Sequence, residues 1–146
     1  METRVNISKT DPQAYKAMLG LNAYLAQSSL STKHQDLIKI RASQINGCAY
    51  CIDLHTKDAR KAGETEQRIY ALNAWRETPF FTDEEQAILA LTEEVTFISN
   101  RVSDQTYQNA ANLLDEKYLA EVIMAIVIIN AWNRIGISTH MSPSLT

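Results

Sequence analysis

Apolar residues return every three or four positions along most of this chain, and short polar clusters divide the periodic stretches from one another. Asp11-Pro12 reads as an N-cap with proline at the first helical position, opening a helix through Tyr15, Met18, Leu19, Leu21, Asn22 and Leu25. Ser28-Ser29-Leu30-Ser31-Thr32 interrupts it. A second helix starts at about Thr32, carries Leu37, Ile38, Ile40 and Ile45, and stops at Gly47, a residue that tolerates the left-handed conformation of a helix end. The third begins beside Cys48 and runs to a stop of the same kind at Gly63. Thr65 to Trp75 reads as a short helix with Ile69, Leu72 and Trp75 on one side, ended by Thr78-Pro79. Thr82-Asp83-Glu84-Glu85 is a capping box before a long helix through Ile88, Leu89, Leu91, Val95 and Ile98. Ser103 caps a helix from Asp104 to Leu114, and Asp115 or Glu116 opens the last one, which passes Tyr118, Val122, Ile126 and Trp132 towards Arg134. After Gly136 the tail is expected to fray.

No stretch shows sustained strand alternation with hairpin turns, so the predicted class is all-α, a bundle of six to seven helices. The β-branched run Val122 to Ile129 is too short for a membrane span and reads as a buried helix with a central or interface position. No repeat or linker divides the chain, so residues 1–146 are expected to form one domain, with its core over about 30–137. The helices flanking Gly47 fit either an αα-hairpin or a nearly continuous bend.

Composition narrows the function classes. An apolar share of 45% over 146 residues suits a globule that needs no disulfide staple. A net charge of -3 with no basic run supplies no electrostatic case for nucleic acid or an anionic membrane surface. Met1 to Ile7 lacks the apolar core of a secretory signal, so a cytoplasmic location is expected, where thiols are kept reduced. A lone Cys-x-x-Cys in that compartment points to redox catalysis or metal binding.

The only two cysteines are Cys48 and Cys51, and His55 follows at the next turn. On a helix, steps of three and four residues put both sulfurs and the imidazole on one face. The orphan amides and dipole of a helix start lower a nearby cysteine pKa from about 8.5, which favours Cys48 as the reactive thiol. The spacing to a proton-accepting histidine favours Cys51. A second thiol within reach lets a sulfenic acid condense to a disulfide before irreversible oxidation. Asp36 shares a stripe with Ile40, Ser43 and Gly47 on the preceding helix, so it is the candidate carboxylate to orient and recharge His55; Asp53 points elsewhere. Competing readings are a zinc site built from the pair with His55 and either His34 or Asp36, and a pair of inert core cysteines. Tyr50, Trp75 and Trp132 read as packing groups, Glu85 as a helix cap, and His140 carries no role.

The segment from Asp36 to Gly63, centred on R-A-S-Q-I-N-G-C-A-Y-C-I-D-L-H, resembles the core of the AhpD-like alkylhydroperoxidases in the carboxymuconolactone decarboxylase superfamily. Ala74-Trp75-Arg76, Phe81-Thr82, Glu85, Leu89-Ala90, Glu93 and Ile129 to Arg134 extend the resemblance over about residues 30–137. It implies an all-helical fold assembling as homotrimers or homohexamers and a Glu–Cys–Cys–His proton relay, with no metal or organic cofactor. It also implies peroxidase activity on a hydroperoxide substrate, reset by an external dithiol reductant. Carried onto this chain, Cys51 becomes the peroxide-attacking thiol, Cys48 the resolving thiol and His55 the relay histidine. The relay glutamate falls at Asp36, one methylene shorter. Alternatives within reach of the same residues are a non-enzymatic redox sensor whose disulfide reshapes an oligomer, and a lactone decarboxylase, for which a thiol pair is unnecessary.

Overall fold

Each long helix starts where a side chain can accept a hydrogen bond from the backbone. The structure, a computed structural model, describes Glu2 and residues 4–146. Its helices are α1 (Ile7–Thr10), α2 (Pro12–Gln27), α3 (Thr32–Asn46), α4 (Ala49–Lys61), α5 (Glu66–Tyr70), α6 (Asp83–Thr96), α7 (Asp104–Leu113) and α8 (Glu116–Ser138), with 3-10 turns at Leu72–Glu77 and Ile98–Asn100. Asp11, Ser31, Thr65, Ser103 and Asp115 cap α2, α3, α5, α7 and α8 by accepting from backbone N–H groups three residues on. Thr82 and Glu85 form the reciprocal capping box of α6. The class is therefore all-α, as the periodicity predicts.

The boundaries differ from the sequence expectation in four places, one of them the helix expected to run through Ile98, which ends at Thr96 and leaves Ile98 in a 3-10 turn. Asn6 caps the single turn of α1, too short to show a period. The helix expected over Thr65 to Trp75 divides into α5 and a 3-10 turn, with Ala74 out of helical conformation. In that tighter winding Leu72 and Trp75, three residues apart, fall in line and both reach the core. Finally, α8 does not end at Gly136 but continues to Ser138. Glycine is there for close approach to a neighbour rather than for termination.

Helix α3 sits between two apolar clusters. Ile38 and Ala42 pack with Ala87, Ile88 and Leu91 of α6 and with Val122, Ala125, Ile126 and Ile129 of α8. Leu37 and Ile40, on its other side, pack with Ala59, Leu72, Trp75 and Leu89. Ala59 lies late in α4 whereas Leu37 lies early in α3, so the two helices fold back on each other as an αα-hairpin about Gly47. The run Val122 to Ile129 is mostly buried, as expected, but Met124 and Val127 form an exposed outer strip. By length and composition α8 is apolar enough to cross a bilayer, yet half of its most apolar stretch is spent on this core.

A charged cluster ties α5 to α6. The Arg68 guanidinium pairs with Glu64 at 2.9 Å and with Glu85, donates to the Phe80 carbonyl, and lies 4.5 Å above the Phe81 ring. Glu64 and Glu85 are both buried, so each depends on this one cation. Arg68→Ala is expected to cost about 3–5 kcal/mol in urea unfolding at pH 7, the penalty of stranding two buried carboxylates; a loss below 1 kcal/mol would show that water reaches them.

Candidate active site

The site is built on the break between α3 and α4. Gly47 takes the left-handed conformation, with φ 70°, that ends α3. The Cys48 N–H donates to the Ser43 carbonyl at 3.0 Å, closing the turn. Cys48 is then the N-cap of α4, its Sγ accepting from the Cys51 N–H at 3.4 Å. Its extended backbone lets the side chain swing over the first turn, and the two cysteines are joined as a disulfide with Cα atoms 5.3 Å apart. The sulfurs therefore meet on one side of the helix start, which the spacing predicted.

Helix α8 is clamped to this turn by amides. Asn46 Nδ2 donates to Asn130 Oδ1 and Asn133 Oδ1, both at 2.9 Å, while Asn133 Nδ2 donates to Ser43 Oγ at 3.0 Å. Asn130 also reaches Thr96 on α6 at 3.0 Å. Asn133 and Ser43 are fully buried, so these bonds are obligatory, and they fix the register of α8 against the hairpin. That register presses Gly136 onto the disulfide. A Cβ there would lie 3.1 Å from Cys48 Sγ and 3.7 Å from Cys51 Sγ, which explains glycine inside a helix.

Above the disulfide opens a cavity of about 380 Å³. Leu19, Leu25, Leu54, Ile128, Ile129 and Trp132 supply its apolar walls. Its polar groups are Asn22, Gln35, Lys39, His55 and Asp58, and Cys51 forms part of the surface. Cys48 does not line it. Both cysteines are nearly inaccessible, at 2% and 4% exposure, but only the second faces the hollow. The cavity walls include Tyr50 and Trp132, which sequence reasoning treated as packing alone; Trp132 is held by Asn22 at 2.8 Å and stands edge-on to Tyr15. Trp75 lies elsewhere, in the second core cluster, donating to Glu93 at 2.8 Å.

His55 lines the cavity one turn beyond Cys51 and makes no hydrogen bond to another side chain or backbone group among the described residues. Burial, and secondarily the Lys39 ammonium, depress its pKa from 6.5 to about 4, against the pull of Asp58. The imidazole is neutral at physiological pH and available as a base. Asp36 is buried on α3 outside the cavity lining, and no hydrogen bond joins it to His55. Desolvation raises its pKa from 3.8 to about 6, with Asp58 and Glu64 adding to the rise and Lys39 opposing it. A carboxyl group that titrates near neutrality is suited to passing protons. The carboxylate that does line the cavity is Asp58, three residues after His55 on α4; that spacing was available in the sequence, as was Lys39 one turn after Asp36. Glu85 remains a cap and an ion-pair partner of Arg68. His34 contacts the Tyr118 hydroxyl at 2.6 Å.

Comparison with known proteins bears on this arrangement. The model of the carboxymuconolactone decarboxylase family matches residues 12–94, which include the hairpin, both cysteines and His55. An uncharacterized protein of Bacillus subtilis, YdfG, is 48% identical over 139 residues, covering 94% of this chain and 95% of its own. A protein of unknown function from Agrobacterium tumefaciens, linked by name to the antioxidant defence protein AhpD, is 36% identical with a TM-score of 0.96 over 99% of this chain and 100% of its own. The debrominase Bmp8, solved with 2,3,4-tribromopyrrole, shares the fold at 19% identity and a TM-score of 0.78, over 90% of this chain and 71% of its own.

The raised pKa of Asp36 has a definite consequence for stability. Its proton is held more tightly in the folded state, so its contribution is fully present below pH 3.8 and is lost as pH rises through about 6. Above that the ionised, buried carboxylate opposes folding. Asp36→Asn is therefore expected to raise stability by about 1–2 kcal/mol at pH 7.5 and to leave it unchanged near pH 3.5, measured by denaturant titration. In an NMR titration, the His55 ring signals of the oxidised protein should stay those of a neutral imidazole down to about pH 5.

Proposed function

Because the chain belongs to the carboxymuconolactone decarboxylase family, we propose that it works as a thiol-dependent peroxidase that reduces organic hydroperoxides through Cys48 and Cys51. The observation that carries this reading is a disulfide, made by the only two cysteines, whose Cys51 side forms part of a largely apolar cavity beside a neutral histidine. Lactone decarboxylation, the reaction in the family name, gives such a pair no work to do.

In the reduced enzyme His55 accepts the thiol proton of Cys51, leaving a thiolate. The thiolate sulfur attacks the terminal oxygen of the hydroperoxide. The S–O bond forms as the O–O bond breaks, the sulfur is oxidised to sulfenic acid, and the alkoxide leaves as alcohol after taking a proton from His55. Cys48, stabilised as a thiolate at the start of α4, then attacks the Cys51 sulfur and expels hydroxide, which is protonated to water. An external dithiol reduces the resulting disulfide by two exchange steps and is itself oxidised to a disulfide. Attack on Cys51 is favoured because that sulfur faces the cavity, and Cys48, at the helix N-terminus, is the better leaving thiolate. Asp36, buried and titrating near neutrality, recharges the relay through an intervening proton carrier, since it makes no direct bond to His55.

Pre-reduced protein mixed with an alkyl hydroperoxide should oxidise in a fast phase that is abolished in Cys51→Ser. Cys48→Ser should retain that phase and accumulate a sulfenic acid that dimedone traps on Cys51. Peroxide consumption by Cys51→Ser at the parent rate would remove the assignment.

A further inference from the structure

Lys39 is the only lysine or arginine among the described residues that line the cavity above Cys51. It reaches that position from α3, and its Nζ donates to Gln35 Oε1 at 3.5 Å, one turn earlier. Gln35 is itself anchored, its Nε2 donating to the Leu25 and Leu30 carbonyls at 3.2 and 3.1 Å. The ammonium is thus held at the wall by a residue tied to the end of α2. The charged or titratable groups it acts on or shares the cavity with are Asp36 on α3 and His55 and Asp58 on α4. Tyr15 of α2 and Tyr50 of α4 add phenols, and α8 adds only Ile128, Ile129, Trp132 and Gly136.

Peroxide reduction at Cys51 puts negative charge in this hollow twice, first on the thiolate and then on the departing alkoxide. His55 meets these charges only with the one proton it carries from thiol to alkoxide; its imidazole is neutral at rest and supplies no standing positive charge. The start of α4 is occupied by Cys48 rather than by Cys51. We propose that Lys39 is the cation of this site, lowering the cost of the Cys51 thiolate and of the alkoxide that replaces it. The assignment rests on the peroxidase reading for the alkoxide and on the cavity alone for the thiolate. The Lys39 charge acts from the wall of a largely apolar cavity, where a unit charge counts for more than it does in bulk water.

The thiolate part is testable without peroxide. In a Cys48→Ser background Cys51 is the only thiol, and the pH dependence of its alkylation by iodoacetamide reports its ionisation. Adding Lys39→Met, close in shape and lacking the charge, should move the midpoint up by about one unit and slow alkylation at pH 7 roughly five- to tenfold. Lys39→Arg should restore most of both, and Lys57→Met, which removes a lysine paired with Asp53 at 2.9 Å outside the cavity lining, should change neither. Circular dichroism and a thermal melt establish that each variant is folded. An unmoved midpoint in Lys39→Met, an arginine variant as impaired as the methionine one, or an equal shift in Lys57→Met would each overturn the proposal. If the Cys48→Ser protein alkylates as expected yet shows no reaction with any hydroperoxide, the peroxidase reading fails while the role of Lys39 towards the thiolate stands.

Discussion

The structure depends on one tight turn. Gly47 in a left-handed conformation ends α3, Cys48 starts α4, and the amides of Asn46, Asn130 and Asn133 lock the long α8 against that corner. Asn133 and Ser43 are fully buried and Asn46 and Asn130 half-buried, all mutually satisfied, so sliding α8 by even one residue would strand several polar groups at once. The same register brings Gly136 against the sulfurs. Hairpin, disulfide and cavity floor are therefore consequences of a single packing solution.

Burial then sets the chemistry. Burial among the cavity walls withdraws water from His55, and burial on α3 outside the cavity does the same for Asp36, driving the histidine towards its neutral form and the aspartate towards its protonated form. Both groups are less charged at neutral pH than their free counterparts, which is the condition under which each can take or give a proton without a large solvation penalty. The two are not bonded to each other.

Ion pairs elsewhere serve a different end. Glu93 gathers Arg41 at 3.0 Å, Trp75 Nε1 at 2.8 Å and Arg76 at 2.5 Å, while Arg68 gathers Glu64 and Glu85. These two knots join α3, α5, the 3-10 turn and α6 on the side away from the cavity, keeping the scaffold under α4 in place. Such networks specify one arrangement of neighbours more than they add net stability.

The reading of the sequence as helices rested on local rules, and local rules are what capping, periodicity and glycine stops obey. They located α2, α3, α4, α6 and α7 closely and put the two sulfurs together at the start of α4. They misjudged Gly136, because a glycine needed for close approach looks like one needed for a turn until the neighbouring sulfurs are known. They treated Tyr50 and Trp132 as packing because an aromatic on an apolar stripe serves equally as core or cavity wall. Which carboxylate faces the cavity, which sulfur is shielded and where Lys39 sits follow from how α2, α3 and α8 close over α4. Those are contacts between residues tens of positions apart, and no spacing within a single helix encodes them.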